Sequence, residues 1–397
     1  MPQMTSSGTL PIVEQSTSRA KPERWLSVDV LRGLTIGFMI LVNNNGDGQR
    51  AYWALKHAEW NGFTPTDLVF PTFLFLIGIS TVFSTAARLA KGATKQSILL
   101  HALRRAVVLF LFGLLVNSFP LFHLHTLRVY GVLQRISVCY FIISLLYLMS
   151  SSWKSKAVIA VTALVGYWAI MRFVLVPGYG VPMHDVPLLD PNGNLAAWLD
   201  RQIFSPPHLY EKTRDPEGLL STLPALATAL FGMLTGIWLR TSKSIEQKAQ
   251  GIAAAGVSGL LLGGLWNYAF PINKKLWTSS YVLFAAGWSL LLLASAIWIV
   301  DVRGAGRSDA TRRRSFMPLL VFGTNAIAAY VFSELLPGVM SLIHMQPGVH
   351  LQRWIYYRIL GAIANPPMAS LIYSLGFVGF CWLAIYLLYR RRIFLKI

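Results

Sequence analysis

A histidine with a carboxylate two residues away lies at the start of one of the apolar segments of this chain. The stretch YWALKHAEWNGFTP, residues 52–65, contains His57 and Glu59, and it continues directly into DLVFPTFLFLIGIS. Histidine is the side chain best suited to proton transfer near neutral pH, and a neighbouring carboxylate can orient its ring. Most loop histidines are only solvated, and Glu59 could equally be a surface carboxylate. The tryptophans and the apolar segment beside His57 still make it the first candidate for catalysis, whereas Asp67 is expected to cap a helix.

Asp29, Arg32 and Arg135 lie inside apolar segments, where a charge is costly and therefore indicates function. Asp29 and Arg32 in SVDVLRG are three residues apart and share one face of a helix. They form either an interfacial ion pair or a site for a phosphorylated ligand. Arg135 in YGVLQRISVCY has two similar interpretations, because the guanidinium suits both structural pairing and bidentate contact with phosphate.

Further polar residues recur where apolar segments begin or end, or within them. They are Asn43, Asn44 and Asn45 after the first segment, Asp215 and Glu217 before the sixth, Lys274 and Lys275 between the seventh and eighth, and Asn325 and Glu334 within the ninth. Each is a weak signal alone, but together they predict a polar cavity inside a helical bundle. The two acidic residues of DPEG could instead cap the sixth helix.

The composition indicates which class of protein positions these side chains. The chain has 397 residues, of which 54% are hydrophobic and 13% are charged, and its mean hydropathy is +0.52. Soluble domains carry roughly 25% charged residues, so this is the profile of a polytopic membrane protein. The net charge of +19 does not indicate nucleic acid, because the basic residues lie mainly between apolar spans and at the chain ends. Cys139 and Cys381 lie within spans, and no Cys or His spacing predicts a metal site or a structural disulfide.

Ten segments are long and apolar enough to cross a lipid bilayer as helices, which predicts an all-α polytopic bundle. They are 25–43, 68–88, 104–119, 129–149, 156–176, 219–239, 250–270, 277–300, 316–342 and 369–389. The third is short, and Pro337 interrupts the ninth. Residues 1–24 are polar and predict a disordered cytoplasmic tail, so the transmembrane domain is expected to comprise residues 25–397.

The distribution of basic residues predicts the orientation of the bundle. With both termini in the cytoplasm, 22 of the 35 Lys and Arg residues lie in inside segments and 11 in outside segments. This topology places His57 in the first external loop. The longest external loop, 177–218, is expected to cap the membrane part.

Six sequence blocks resemble a known family. They are RWLSVDVLRG, KHAEWNGFTPTDLVFPTFLFLIG, GVLQRI, DPEGLLSTLPA, INKKLWTSSYVLFAAGW and GTNAIAAYVF, in this order over about residues 24–390. The family is heparan-alpha-glucosaminide N-acetyltransferase, and the chain looks like a bacterial member without the N-terminal extension of the animal enzymes. The resemblance implies a multi-pass enzyme of the bacterial inner (cytoplasmic) membrane. It would move an acetyl group from cytoplasmic acetyl-CoA to a glucosamine-type amine on the periplasmic side, without a metal.

The resemblance also implies roles for individual residues. His57 corresponds to the catalytic histidine, which acts either as a general base or as a nucleophile that becomes acetylated. Asn43 is the expected oxyanion or thioester donor, although Asn44 and Asn45 follow it directly. The other implied roles are CoA binding for Asp29, Arg32 and Arg135, and acceptor binding for Trp60, Asn61, Asp215, Glu217, Lys274 and Lys275. The two lysines could instead stabilise their loop.

Several functions remain open at this point. The acceptor could be glucosamine, a cell-wall fragment or an imported glycan, and O-acetylation of an extracellular glycan is a close variant. A sugar transporter would also suit ten spans with intramembrane charges, but it needs no proton-transfer residue at position 57. A partner in polysaccharide assembly without catalysis would bind no acetyl-CoA. Because members of the family are often dimers, a homodimer is possible.

Overall fold

The structure, a computed structural model, describes residues 25–304 and 306–395, and it is almost entirely helical. The helices are α1 (Leu26–Asn43), α2 (Val69–Leu89), α3 (Lys95–Ser118), α4 (Val132–Met149), α5 (Trp153–Phe173), α6 (Leu195–Phe204), α7 (Thr222–Leu239), α8 (Ile245–Trp266), α9 (Ser279–Ala296), α10 (Asp309–Ser315), α11 (Met317–Thr324), α12 (Ala326–Leu342), α13 (Leu351–Ile363) and α14 (Pro366–Arg390). A short antiparallel hairpin of β1 (His344–Gln346) and β2 (Val349–His350) connects α12 to α13. The tail predicted to be disordered, residues 1–24, lies outside the described residues.

Within the described residues, nine helices are long and apolar enough to span a bilayer. They are α1, α2 with the turn before it (Pro65–Leu89), α3, α4, α5, α7, α8, α9 with its extension to Val302, and α14. The bent pair of α11 and α12 is a tenth candidate span. The predicted all-α bundle of about ten spans is therefore confirmed. The cytoplasmic location of both termini stays a prediction.

The third span is longer than its apolar centre indicates. The hydropathy pattern predicts residues 104–119, whereas α3 already begins at Lys95. Thr94 starts the helix, because its side-chain oxygen accepts a hydrogen bond from Ser97 N at 3.2 Å. The additional turns carry basic side chains, so hydropathy alone does not reveal them.

The ninth span is broken at Asn325 and not at Pro337. The axes of α11 and α12 differ in direction by 82°. The Asn325 side chain donates from Nδ2 to Ile393 O and accepts from Leu395 N, both at 3.1 Å. Pro337 instead lies inside α12. A polar side chain thus ties the break to the segment that follows α14.

Two helix crossings bring backbones into direct contact and require glycine. A Cβ atom on Gly323 of α11 would lie 2.0 Å from Asp29 O in α1. A Cβ atom on Gly232 of α7 would lie 1.9 Å from Phe75 O in α2. Small residues allow such close approach between membrane helices, so both crossings fix helices that lead to the cavity described below.

The loops after α1, α3, α5 and α8 leave the bundle at the same end, because consecutive spans alternate in direction. We call this the site end, and α1 reaches it at Asn43. The core below the site end is apolar, and its side chains are buried from solvent. Ile36, Leu74, Leu230 and Val282 are all 0% exposed there. The core therefore gives the polar loops a rigid base.

Candidate active site

A cavity of about 630 Å³ opens at the site end. Its wall is built from α1, α3, α4 and α12 and from the four loops at that end. The predicted site residues that line it are Asn43, His57, Glu217, Lys274 and Lys275. The remaining predicted site residues lie off its wall and are Asp29, Arg32, Trp60, Asn61, Arg135 and Asp215.

His57 is paired with Asp67, at the start of the second span. The distance from His57 Nδ1 to Asp67 Oδ1 is 2.6 Å. The other carboxylate oxygen, Oδ2, accepts from Ala58 N at 3.1 Å and from Thr64 N at 3.0 Å. A carboxylate that accepts these two bonds in addition to the one from His57 is ionised, so His57 donates from Nδ1 and its Nε2 carries the lone pair. The carboxylate partner of the ring is therefore Asp67, and within the described residues no hydrogen bond joins Glu59 to the ring.

The same short segment fixes the loop that carries the histidine. Thr64 and Asp67 form a capping box before α2, with Pro65 at the first position of the turn. Thr64 Oγ1 also donates to Lys56 O at 2.7 Å, and Thr66 Oγ1 donates to Ala54 O at 3.0 Å. The helix start thereby holds the residues immediately before His57.

Trp60 and Asn61 stabilise this loop from its outer side. Trp60 Nε1 donates to Leu189 O at 2.9 Å. Asn61 Oδ1 accepts from Asn273 Nδ2 at 3.1 Å, which joins the His57 loop to the loop between α8 and α9. Both predicted acceptor-binding side chains are thus engaged with the protein, and their contact with an acceptor stays a prediction.

The exposure and charge around His57 favour a neutral imidazole. Its side chain is 43% exposed, whereas that of Asp67 is 0% exposed. Partial burial is the main cause that lowers the pKa of His57 below 6.5, and the positive charge of Lys274 lowers it further, against the opposing effect of Asp67. A neutral ring with a free Nε2 at the cavity wall is the arrangement of a general base.

The three consecutive asparagines have different environments. Asn43 lies on the cavity wall, where its Nδ2 donates to Glu334 Oε1 at 3.1 Å. Asn44 Nδ2 instead donates back to Ile40 O at 3.0 Å. Asn45 Nδ2 donates to Val42 O at 3.0 Å and to Leu55 O at 3.2 Å, which closes the loop. Of the three, Asn43 is the one whose amide reaches the cavity.

An arginine that the sequence reasoning missed organises the opposite wall. Arg128 Nε donates to Asp215 Oδ2 at 2.8 Å, and its Nη2 donates to Asp215 Oδ1 and to Glu217 Oε2 at 2.5 Å each. Burial raises the pKa of Glu217, but the positive charges of Arg128 and Lys274 outweigh it and lower the pKa to about 2. Glu217 is therefore ionised, and Arg128 pairs with both carboxylates. Arg128 precedes the fourth span, so no charge within an apolar segment drew attention to it.

Arg135 supports the same acidic turn from beneath. It is 0% exposed, and its Nη2 donates to Gly218 O at 2.9 Å and to Ser221 Oγ at 2.5 Å. Its guanidinium also lies over the ring of Trp277, 5.1 Å from the centroid. These contacts are structural, and a role in CoA binding stays a prediction.

Asp29 and Arg32 lie far below the cavity. Arg32 is eleven residues before Asn43 in α1, or about 16 Å along the helix axis. Its Nη1 donates to Asp29 Oδ1 at 2.8 Å and to Gly323 O at 3.1 Å, and its Nη2 donates to Ser80 Oγ at 2.7 Å. The pair therefore connects α1 with α2 and α11, and a contact with CoA stays a prediction.

The two lysines at the rim differ in their contacts. Lys275 Nζ donates to Glu211 Oε1 at 2.9 Å, and Arg214 pairs with the same glutamate. No ion pair or hydrogen bond is found for the Lys274 side chain within the described residues, so it leaves a positive charge in the cavity. Those residues also contain no group of three or more His, Cys, Asp or Glu that could hold a metal ion.

An apolar seam continues from the floor of the cavity into the bundle. It is lined by Met39, Phe70, Phe73, Leu109, Ile136 and Ile327, and it shares Val132, Leu133 and Tyr330 with the cavity. Its free volume is only about 10 Å³. The side chains along this line are apolar, which suits a narrow and mostly uncharged chain.

Comparison with known proteins connects this geometry to one family. The profile of the family "Heparan-alpha-glucosaminide N-acetyltransferase, catalytic" matches residues 24–262. The human heparan-alpha-glucosaminide N-acetyltransferase is 30% identical over 371 residues, which cover 79% of this chain and 53% of the human protein. The mouse protein of the same name is 27% identical over 440 residues, covering 97% of this chain and 62% of its own length. The chain thus corresponds to between about half and three-fifths of these relatives, and it belongs to the heparan-alpha-glucosaminide N-acetyltransferase family.

Proposed function

We propose that the protein transfers an acetyl group from acetyl-CoA to the amine of an amino sugar, with His57 as the general base. The observation that carries this proposal is the His57–Asp67 pair of 2.6 Å at the wall of the cavity. The buried carboxylate orients the ring and keeps the proton on Nδ1, which leaves Nε2 for the substrate. The names of the human and mouse relatives supply the reaction and the glucosaminide class of acceptor.

The residues on the wall suit the steps of amide formation. His57 Nε2 takes a proton from the amine while the amine nitrogen bonds to the thioester carbon. Asn43 has a second Nδ2 hydrogen that is not used by Glu334, and it donates to the oxygen that becomes negative. When the carbon–sulfur bond breaks, the protonated His57 returns its proton to the sulfur. The products are the N-acetylated sugar and free CoA, so atoms and charge balance.

The donor and the acceptor approach His57 from opposite faces in this proposal. The apolar seam below the cavity has the chemistry to accept a pantetheine arm, although it must widen to do so. The acceptor enters through the open mouth, past the two lysines. With the predicted topology, the donor comes from the cytoplasm and the acceptor lies on the periplasmic face of a bacterial inner membrane.

The test is acetyl transfer across sealed vesicles that contain the purified protein in one orientation. Labelled acetyl-CoA is placed on one face and glucosamine on the other, and acetylglucosamine is measured. We expect product with the wild type and a loss on the order of 10²- to 10⁴-fold with His57→Ala, the usual contribution of a general base. His125→Ala is the matched control, because His125 is an exposed loop histidine away from the cavity wall.

Three outcomes would contradict the proposal in different ways. Full activity of His57→Ala would show that His57 is not a catalytic residue. Glucosamine that crosses unmodified would indicate a transporter. Release of one equivalent of CoA before any acceptor is added would indicate an acetylated enzyme in place of a general base.

A further inference from the structure

The carboxylates on the cavity wall are not equally available to a cation. Glu217 is paired with Arg128, and Glu211 is paired with Lys275 and Arg214. Glu59 is exposed to solvent at the rim. Glu334 is the remaining one, and within the described residues its side chain contacts the uncharged amide of Asn43.

Glu334 lies inside the cavity and not at its rim. It projects from α12, one turn after Tyr330, and both side chains line the wall. Its Oε1 accepts from Asn43 Nδ2 at 3.1 Å, whereas no hydrogen bond is found for Oε2 in the described part of the chain. An unpaired carboxylate oxygen therefore lies beside the amide that faces the reacting carbonyl in the proposed reaction.

We propose that Glu334 binds the ammonium group of the acceptor and so selects amino sugars over neutral sugars. The inference rests on the proposed function and adds the residue that recognises the amine. An ammonium ion gives a carboxylate a charge-assisted hydrogen bond, which a hydroxyl group at the same position cannot match. Binding at Glu334 involves no covalent step, and the ammonium group releases one proton to solvent before its nitrogen attacks the thioester in the proposed reaction.

The other charges of the cavity support this location for the amine. Asp215 and Glu217, which the sequence suggested as amine ligands, would have to exchange Arg128 for the substrate. Lys274 carries a positive charge on the same wall as His57, and it repels an ammonium ion. The ammonium group is therefore more stable beside Glu334 than beside Lys274.

The test is equilibrium binding of glucosamine and of glucose to the detergent-solubilised full-length protein by calorimetry. Glu334→Gln removes the charge but keeps an oxygen that can accept from Asn43, so the wall is preserved. We expect its Kd for glucosamine to rise on the order of 10- to 100-fold, with the Kd for glucose changed less than about twofold. Glu246→Gln is the matched control, since it removes an exposed charge at the start of α8, off the cavity wall, and should change either Kd less than about twofold.

A second variant separates charge recognition from positioning. Glu334→Ala removes both the charge and the bond to Asn43. If Glu334→Gln bound glucosamine like the wild type and only Glu334→Ala were impaired, the residue would position Asn43 and the inference would be wrong. Equal weakening of glucosamine and glucose by Glu334→Gln, or no preference for glucosamine in the wild type, would also overturn it.

The experiment distinguishes this inference from the proposed function. The wild type is assayed in parallel for acetylglucosamine formation in vesicles. Selective binding that depends on Glu334, without any acetyl transfer, would refute the proposed function and leave the inference standing. Acetyl transfer by the wild type, together with a Glu334→Gln variant whose Kd for glucosamine is unchanged, would refute the inference and leave the proposed function standing.

Discussion

Replacement of Asp67 by asparagine tests the proposed reaction most directly. Asp67 Oδ2 accepts from two backbone N–H groups, and Oδ1 accepts from His57 Nδ1. Asparagine has one carbonyl oxygen, and the two backbone donors retain it. Its amide nitrogen then faces His57 and donates to Nδ1, so the ring proton moves to Nε2.

This change blocks the base without removing a side chain from the cavity. With the proton on Nε2, His57 cannot accept a proton from the amine. We expect kcat to fall on the order of 10²- to 10⁴-fold, the contribution typical of general base catalysis. This corresponds to about 3–5 kcal/mol in the activation free energy.

The assay is steady-state acetylation of glucosamine in vesicles with saturating acetyl-CoA, together with thermal unfolding to show that the variant is folded. Asp47→Asn is the matched control, because Asp47 is a carboxylate of the same loop that does not line the cavity. Its Oδ1 accepts a hydrogen bond from Gln49 N at 3.0 Å. Its kcat should remain within about twofold of the wild type. A folded Asp67→Asn variant with a kcat within threefold of the wild type would refute the role of Asp67 in setting the tautomer.

Three other predictions follow from the charges and the packing. Lys274→Met removes a positive charge that lowers the pKa of His57, so this pKa should rise and the acid limb of the pH profile of kcat/KM should move to higher pH. If the limb did not move, the ionisation that it reports would not be that of His57. Arg128→Met leaves two buried carboxylates unpaired and should lower the free energy of unfolding by about 3–5 kcal/mol; an unchanged melting temperature would contradict this. Gly323→Ala forces a Cβ atom to 2.0 Å from the α1 backbone and should cost about 1–3 kcal/mol, whereas Gly376→Ala, which meets no atom within 4 Å, should be neutral or stabilising by thermal unfolding.

The spans could be predicted from the sequence because each needs a long apolar run, whatever its neighbours are. Their ends were harder, since basic turns extend α3 back to Lys95. The sequence places the interruption of the ninth span at Pro337, because proline is the usual cause of a kink. The span instead breaks at Asn325, whose side chain contacts residues 393 and 395, and no local pattern reveals these contacts.

The site was predictable only in part. His57 stood out by its type and position, but its partner is ten residues away, and the distance of 2.6 Å depends on how residues 58–66 fold. One signal was present: threonine and aspartate three residues apart, before an apolar run, are typical of a capping box. Arg128 gave no such signal, because its role depends on a loop 87 residues later in the chain.

The cavity wall is drawn from distant parts of the chain, beginning at Val42 and ending at Glu334 on α12. During synthesis, the His57 loop leaves the ribosome early, and most of the spans are inserted before α12 is made. A nascent chain therefore presents the histidine without the wall that holds the acceptor. In the proposed reaction, a chain that ends before α12 lacks Glu334 and Tyr330 of the cavity wall and therefore cannot hold the acceptor.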